Sequence, residues 1–535
     1  MFQHSFNLID EPWIPVVDDE GRTREVGLEE LFTSSHTLRA LADSSPLSLF
    51  SMLRLLLVVA HRIVEGPTGL GHWKKIWHAG RFDENAVKAY FERWRHRFDL
   101  FDPEWPFLQV GGFETVTKNV ISKSPISRLL PELATGNNPT LFDHSFEEHP
   151  KPMSGSECAR ALLVAQTFGL GGGKGPTSRR PGQPIFTHPY SSHAPGAGAV
   201  AVWVRRDTLY ATLVANLVWL KPDRAPPHCS DSNDKPTWER DTLRGPTEAT
   251  PTGYLEVCTW PARYVRVLPE ADGRVREMCF AQGAIIAQDS GFDNPFAFFE
   301  VDDKRGKVPV PLNPERAVWR DSSALFAVAG KNAKSIPPEA VRVLRDGRVA
   351  DLQTTSGIID LVCVGLANDK ANPLLWRTEI IPTPVRLIED PDTVALLEAC
   401  LADVEAVWQV LRGATRSLAY ALLETDTKAP DTKEVTRVQD RMLRRVGYWE
   451  RMDHAFRAFM VGLDEPARLA WRQAARRAAY DGLKRAADFV EGNVARVGRA
   501  LSKADRKLAM ELAKLEPKSP VTDSTPSSSS PQEAS

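Results

Sequence analysis

Residues 6–16, FNLIDEPWIPV, restrict the fold more than any other stretch of the chain. Pro12 and Pro15 bracket Trp13 and Ile14. Each proline fixes φ, removes a backbone donor and disfavours helix in the residue before it. The segment must therefore run extended. Trp13 is the expected buried anchor. A rigid lead-in of this kind enters a core.

At 535 residues the chain is too long for one ordinary core. It divides into a mixed α/β domain over 1–388, an antiparallel four-helix bundle over 389–516 and a disordered tail over 517–535, an α+β class. Hydrophobic residues at 42% and charged residues at 25% are ordinary globular values. A formal net charge of −2 means that any nucleic-acid contact must come from local basic patches. No two of the six cysteines stand at a CxxC spacing, which argues against a cysteine-only zinc site and for free buried thiols in a reducing cytosol. The apolar run 49–60 is interrupted by Arg54 and too short to span a bilayer. Its helical recurrence predicts a buried helix. The N-terminus lacks the charged start and apolar stretch of a signal peptide, so the expected location is cytoplasmic, with no membrane partner.

Along the first domain, helices are expected near 46–64, 83–97, 156–167 and 209–217. Residues 111–155 are poor in periodic pattern and read as long loops. Short β-rich runs appear at 200–204 and 264–268, with turns at Asp272-Gly273 and Asp346-Gly347. After Pro391 four helical stretches follow, near 392–424, 431–462, 465–490 and 493–515. Their short connections argue for the bundle. The Ser-, Pro- and Thr-rich tail has too little apolar content to order itself.

Four constellations could carry chemistry. The first is GLGGGKG at 169–175, where Gly169, Gly171, Gly172, Gly173 and Gly175 surround Lys174, with Arg179 and Arg180 following. Glycines let backbone N–H groups approach a ligand closely, and consecutive N–H groups with a lysine suit a phosphate or a groove edge. The loop fails as a Walker A motif, since Gly175 stands where a magnesium-holding Ser or Thr belongs. A plain flexible surface loop is an equal reading of the glycines alone. The second is Leu141-Phe142-Asp143-His144, in which Phe142 reads first as a core plug. The third is the tip at 367–372, where a plain β-turn competes with insertion into a minor groove. The fourth is an excess of Lys and Arg after Asp464, where Arg472, Arg476, Lys484 and Arg485 could share a solvated face or a weak phosphate track. The chain has no HExxH, GxSxG or His-Asp pair, and His188 and His193 flank Pro189-Tyr190 without a completing group. No enzyme, cofactor or metal site is expected.

The opening string resembles the start of the large subunit of the type I-E CRISPR surveillance complex, the CasA family of Cascade. Further similar blocks follow in the same order: residues 98–103 with Pro106-Phe107-Leu108-Gln109, the glycine loop, Asp234-Lys235-Pro236-Thr237-Trp238-Glu239, and the closing helices. The resemblance covers 1–516. It implies a non-catalytic subunit that binds the protospacer-adjacent motif of duplex DNA, mostly from the minor groove, starts strand separation and helps recruit the nuclease-helicase. The implied partners are the other Cascade subunits with guide RNA, the target duplex and the nuclease-helicase. Gly171, Gly172, Gly173 and Lys174 would face the motif duplex. Asp369, Lys370 and Ala371 would be the groove reader and wedge. Phe142, Asp143 and His144 would contact the complex near the guide's 5′ end. Some relatives carry Asn then Gln at the tip where this chain has Asp369 then Lys370, and the neutral Gln282 stands near a basic position of relatives, so no binding role passes to it. The rival readings are a nucleotide-dependent enzyme with GLGGGKG as its phosphate cradle and a purely structural adaptor.

Overall fold

The computed structural model describes residues 4–118, 120–133, 150–172, 175–183, 185–219, 233–287, 294–327, 334–352, 357–425, 429–488 and 494–516. Two compact units divide after Val394. The first mixes helix and sheet and the second is helical among the described residues, so the class is α+β.

The proline-stiffened start places β1 (Ile14–Val17) between β2 (Thr23–Val26) and β3 (Ala40–Leu41), antiparallel to both. Trp13 is fully buried and its indole N–H donates to the Leu8 carbonyl at 2.9 Å. Gly27 precedes α1 (Leu28–Ser34), and a Cβ there would stand 2.5 Å from the Ile9 carbonyl oxygen. On its other side the start meets residues 98–107. Leu8 N–H donates to Phe98 O and Leu100 N–H to Phe6 O, each at 3.0 Å. Phe98 stacks on Phe107 at 5.2 Å and packs on Trp238 at 5.4 Å. The Trp238 indole donates to Tyr90 Oη, which donates to Glu239, and Arg62 grips the same carboxylate with two bonds of 2.8 and 2.7 Å. Three blocks distant in sequence thus share one core, with its buried charge paired.

Helix α2 (Pro46–Ile63) starts at a Ser45 cap, runs through the core and packs on the helix Gly155–Phe168. It is the one described helix long and apolar enough to cross a membrane, and most of it is buried inside the unit. Arg54, which breaks its apolar run, is spent internally on Thr167 Oγ1 and the Val257 carbonyl. Helix α3 (Leu70–Ala79) follows, then α4 (Glu84–Trp94). The stretch expected as loops contains β4 (Glu114–Thr117), β5 (Val120–Ile121) and β6 (Ser124–Pro125). Strands of two to four residues are too short to display a period of two. Helix α5 (Gly155–Phe168) opens with a Ser154–Glu157 capping box. β7 (Thr177–Arg179) and β8 (Phe186–Thr187) complete a sheet of order β5-β4-β7-β8. β9 (Ala201–Arg205) leads into α6 (Leu209–Asn216). β10 (Arg263–Pro269) and β11 (Val275–Gln282) form a hairpin around Asp272-Gly273, with β6 on the far edge of β11. β12 (Ile358–Asp369) and β13 (Asn372–Pro384) form a long hairpin whose base pairs with β9. Asp346-Gly347, expected between strands, instead kinks the chain between the short helices Glu339–Val343 and Val349–Leu352.

The second unit holds α7 (Pro391–Leu423, from residue 395), α8 (Thr432–Leu443), α9 (Tyr448–Gly462), α10 (Glu465–Asp488) and α11 (Val494–Lys514). The expected single stretch 431–462 is two helices. Gly447 breaks it in the left-handed region at φ 61°, against the Arg485 guanidinium, which a Cβ would meet at 2.6 Å. Trp471 donates to Cys400 O at 2.9 Å and stacks on Phe459 at 4.8 Å. Arg472 is bound to Asp403 and Arg476 to Glu516, so half of the suspected basic face is occupied within the unit. Five cysteines are buried free thiols, and Cys229 and the tail from 517 lie outside the described residues.

His61, at the end of α2, is buried. Its Nδ1 donates to Gly66 O at 2.7 Å and its Nε2 accepts from Val218 N–H at 3.4 Å, the pattern of a neutral ring. Burial, with a lesser contribution from Arg348, pushes its pKa down to about 4. The unfolded chain takes up that proton near pH 6.5, so stability is complete above 6.5 and falls as pH drops towards 4. The difference corresponds to about 3 kcal/mol. Denaturant unfolding of His61→Gln at pH 7 and 4.5 should show a flatter acid loss than the parent; equal losses would contradict the assignment.

Candidate nucleic-acid interface

The glycine loop leaves α5 at Gly169 and is pinned from below by an arginine. Arg263 opens β10 on its buried side and is 1% exposed. Its guanidinium donates to Gly169 O and Ser192 O, each at 2.7 Å, to Ala262 O at 2.8 Å, and to Leu170 O and the Gln282 side-chain oxygen at 3.2 and 3.1 Å. Burial pushes its pKa down to about 10, so it stays cationic at neutral pH. Gln282 accepts from Ser192 N–H at 2.8 Å and donates to Ala262 O and Gly283 O. The neutral Gln282 is thus a buried strut.

The loop is held from the side as well. Gly171 N–H donates to His193 Nδ1 at 3.1 Å. Burial, then the nearby Arg263 charge, hold His193 below the ordinary imidazole range, which keeps Nδ1 an acceptor. A Cβ on Gly171 would stand 2.6 Å from Ser191 O. Close approach of two backbones therefore requires this glycine, and residues 169–172 are packed in place. His188 is buried, bridging Ser178 Oγ and Gln282 O at 2.7 Å each. It belongs to the same support. Gly173 and Lys174 lie outside the described residues, as do Phe142, Asp143 and His144.

The hairpin tip arrives from above. Asp369 pairs with Asn372 across a two-residue turn of Lys370 and Ala371. Lys370 adopts φ 54°, unusual for a side-chain-bearing residue, and its carbonyl accepts from Asn368 Nδ2 at 2.7 Å. Asp369 and Lys370 are exposed. The register shifts between Ala367 and Asn368, where Leu374 is the extra residue, 57% exposed. Ala371 touches the glycine loop: a Cβ built on Gly172, itself at φ 150°, would stand 2.7 Å from Ala371 Cβ.

Gly172 and Ala371 together wall a cleft of about 140 Å³. Its remaining sides are Arg263, Phe280, Pro373 and the turn carrying Arg128. No carboxylate lines it among the described residues. Nor do the described residues hold a group of three potential metal ligands. The described part of the glycine loop and the hairpin tip are thus brought together. Arg263 and Arg128 were missed from sequence, and the supporting role of His193 was not foreseen, though an arginine at an inward position of the alternating run 263–269 was a usable signal.

Gly172→Ala should push the hairpin tip off the loop. Hydrogen exchange at 368–373 is expected to quicken by about tenfold, a loss of about 1.4 kcal/mol in local protection, while the global unfolding midpoint stays unchanged. Unchanged exchange there would show that the contact does not hold the tip.

The family model for CRISPR-associated protein Cse1 matches residues 7–482. The CRISPR-associated protein CasA/Cse1 of Thermus thermophilus is 34% identical over 521 residues, covering 95% of this chain and 98% of its own length. The solved structure of Thermus thermophilus CasA (Cse1) superposes with a TM-score of 0.77 at 31% identity, over 95% of this chain and 99% of that one. A chain of a solved CRISPR RNA-guided surveillance complex shares the fold at TM-score 0.73 and 21% identity, over 94% and 99%. This chain belongs to the CRISPR-associated Cse1 (CasA) family.

Proposed function

We propose that this protein is the non-catalytic subunit of a cytoplasmic, RNA-guided surveillance complex that recognises the protospacer-adjacent motif in duplex DNA, begins unwinding and helps recruit the nuclease-helicase. The carrying observation is the contact of Gly172 with Ala371, which makes the glycine loop and the hairpin tip one surface. The subunit of a surveillance complex with the same fold supports the setting. Its partners would be the other Cascade subunits with guide RNA, the target duplex and the nuclease-helicase. Phe142, Asp143 and His144 would serve the guide end of the assembly, and Gly173 and Lys174 would extend the loop along the duplex.

The chemistry follows from the groove. A minor groove offers acceptors on every base pair and one donor, the guanine amino group. Asp369, exposed beside the turn, can accept from that donor and from nothing else on the groove floor. Lys370 at the turn can part a base pair while its ammonium stays near a phosphate. A few such contacts suffice, because guide pairing supplies most of the sequence information in RNA-guided recognition. A nucleotide-dependent enzyme is less well supported, since the described walls of the cleft hold no carboxylate for magnesium.

The test is binding of the guide-loaded complex, with and without this chain, to matched duplexes bearing or lacking the motif. Affinity should rise only with both chain and motif present. Asp369→Asn should relax the preference for a G·C pair, at about 1–3 kcal/mol for the lost discrimination. Equal affinity on motif-bearing and scrambled duplexes would overturn the reading.

A further inference from the structure

The stretch 191–196 runs antiparallel to the end of α5 and the start of the glycine loop. Gly196 N–H donates to Thr167 O and Ala194 N–H to Gly169 O, each at 2.8 Å. Two residues further along, the same register brings Ser192 opposite Gly171. There the bonding changes character. Ser192 O accepts from the Arg263 guanidinium at 2.7 Å, and the Gly171 N–H donates to the His193 ring, at Nδ1, over 3.1 Å. A side chain thus supplies the acceptor at this rung. The next residue is Gly172, whose Cβ position lies against Ala371 of the hairpin tip. Among the described residues, the imidazole is the last tie on the loop before the two meet.

Only a neutral ring with its proton on Nε2 can accept at Nδ1. A second proton turns Nδ1 into a donor, and two donors then face each other. The surroundings oppose that proton. Arg263, on β10, is the charge that bears on the ring, and no carboxylate among the described residues does. Arg128 bears on Arg263 in turn. Gln282 on β11 is neutral, and burial holds His188 below its ordinary value. His193 is nevertheless exposed, so a proton can reach it without opening the fold.

We propose that His193 is a positioning residue for motif reading: its neutral imidazole holds the Gly171 backbone, and with it the Gly172 edge of the loop, against the hairpin tip, and a proton on the ring releases that edge. The proposal rests on the motif-reading assignment. Its sign is fixed by the direction of the ring's displacement. His193 is held below the ordinary value of 6.5, so the tie is complete above that pH and is lost as pH falls beneath it.

The experiment measures affinities of guide-loaded complexes for motif-bearing and scrambled duplexes from roughly pH 8 to pH 5.5, across the imidazole range. It compares the parent chain with His193→Asn, whose amide oxygen accepts at either end of that range, and with His193→Ala, which has no acceptor. The readout is the ratio of the two affinities, because the phosphate charge of the duplex acts on both alike. In the parent this ratio should fall about threefold to tenfold with acid, as the loss of one hydrogen bond allows. His193→Asn should keep the high ratio throughout and His193→Ala the low one. A parental ratio that ignores acid, an equal acid fall in His193→Asn, or a parental ratio at the alkaline end in His193→Ala would each overturn the proposal. A parent complex indifferent to the motif at the alkaline end would instead sink the motif-reading assignment. The tie itself is then read on the unbound full chain at neutral pH. Amides at 169–172 should exchange about tenfold faster in His193→Ala than in His193→Asn, and equal exchange would overturn the tie.

Discussion

The buried guanidinium of Arg263 is the constraint on which the candidate interface depends. It collects carbonyls from the end of α5, from residues 191–193 and from its own strand, and so fastens three separate parts of the chain around one point. Leaving these acceptors unpaired inside the protein would cost about 1–3 kcal/mol apiece. The arrangement therefore fixes the loop far better than the glycines themselves could. The glycines permit close approach, and the arginine makes that approach the lowest-energy state. Gln282 and His193 complete the clamp with neutral groups, which avoids further charge repulsion at the base of the cleft.

Much of the fold was legible in the sequence where local rules govern. The prolines at 12 and 15 forced the extended start, and the helical recurrence across 49–60 marked the core helix with its arginine included. The α+β class followed from the change of pattern after Pro391. Legibility failed where an element is too short to repeat, as in β4 to β6, and where a break needs tertiary information. Gly447 sits inside a convincing helical pattern, and the Arg485 side chain that crowds its Cβ position comes from another helix. The Asp346-Gly347 turn was visible, but the helices on either side of it are four and five residues long and carry no period of their own.

The site divides in the same way. Glycines, a lysine and a polar tip are visible as residue types, and a family resemblance gives them a common purpose. Sequence spacing cannot show that Gly172 and Ala371 touch, because that contact depends on how two distant hairpins and a helix end pack. The supporting residues were the least visible. Gln282 was passed over for lacking charge, yet its amide is used as both donor and acceptor. His193 was noted only for an absent catalytic partner, while its partner is a backbone N–H.

The extra residue at Leu374 has a geometric consequence. A bulge on one strand bends and twists the ribbon beyond it, so the terminal turn is aimed by a count of residues as much as by their identity. Below the bulge, β12 is buried in its sheet and cannot rotate; beyond it, two residues and a turn carry every exposed charge of the tip. Homologous chains that differ by one residue at this point would present the opposite face of the same turn to whatever lies in front of it. The aim of the tip can thus change by insertion or deletion in a strand, without any change in the residues of the turn itself.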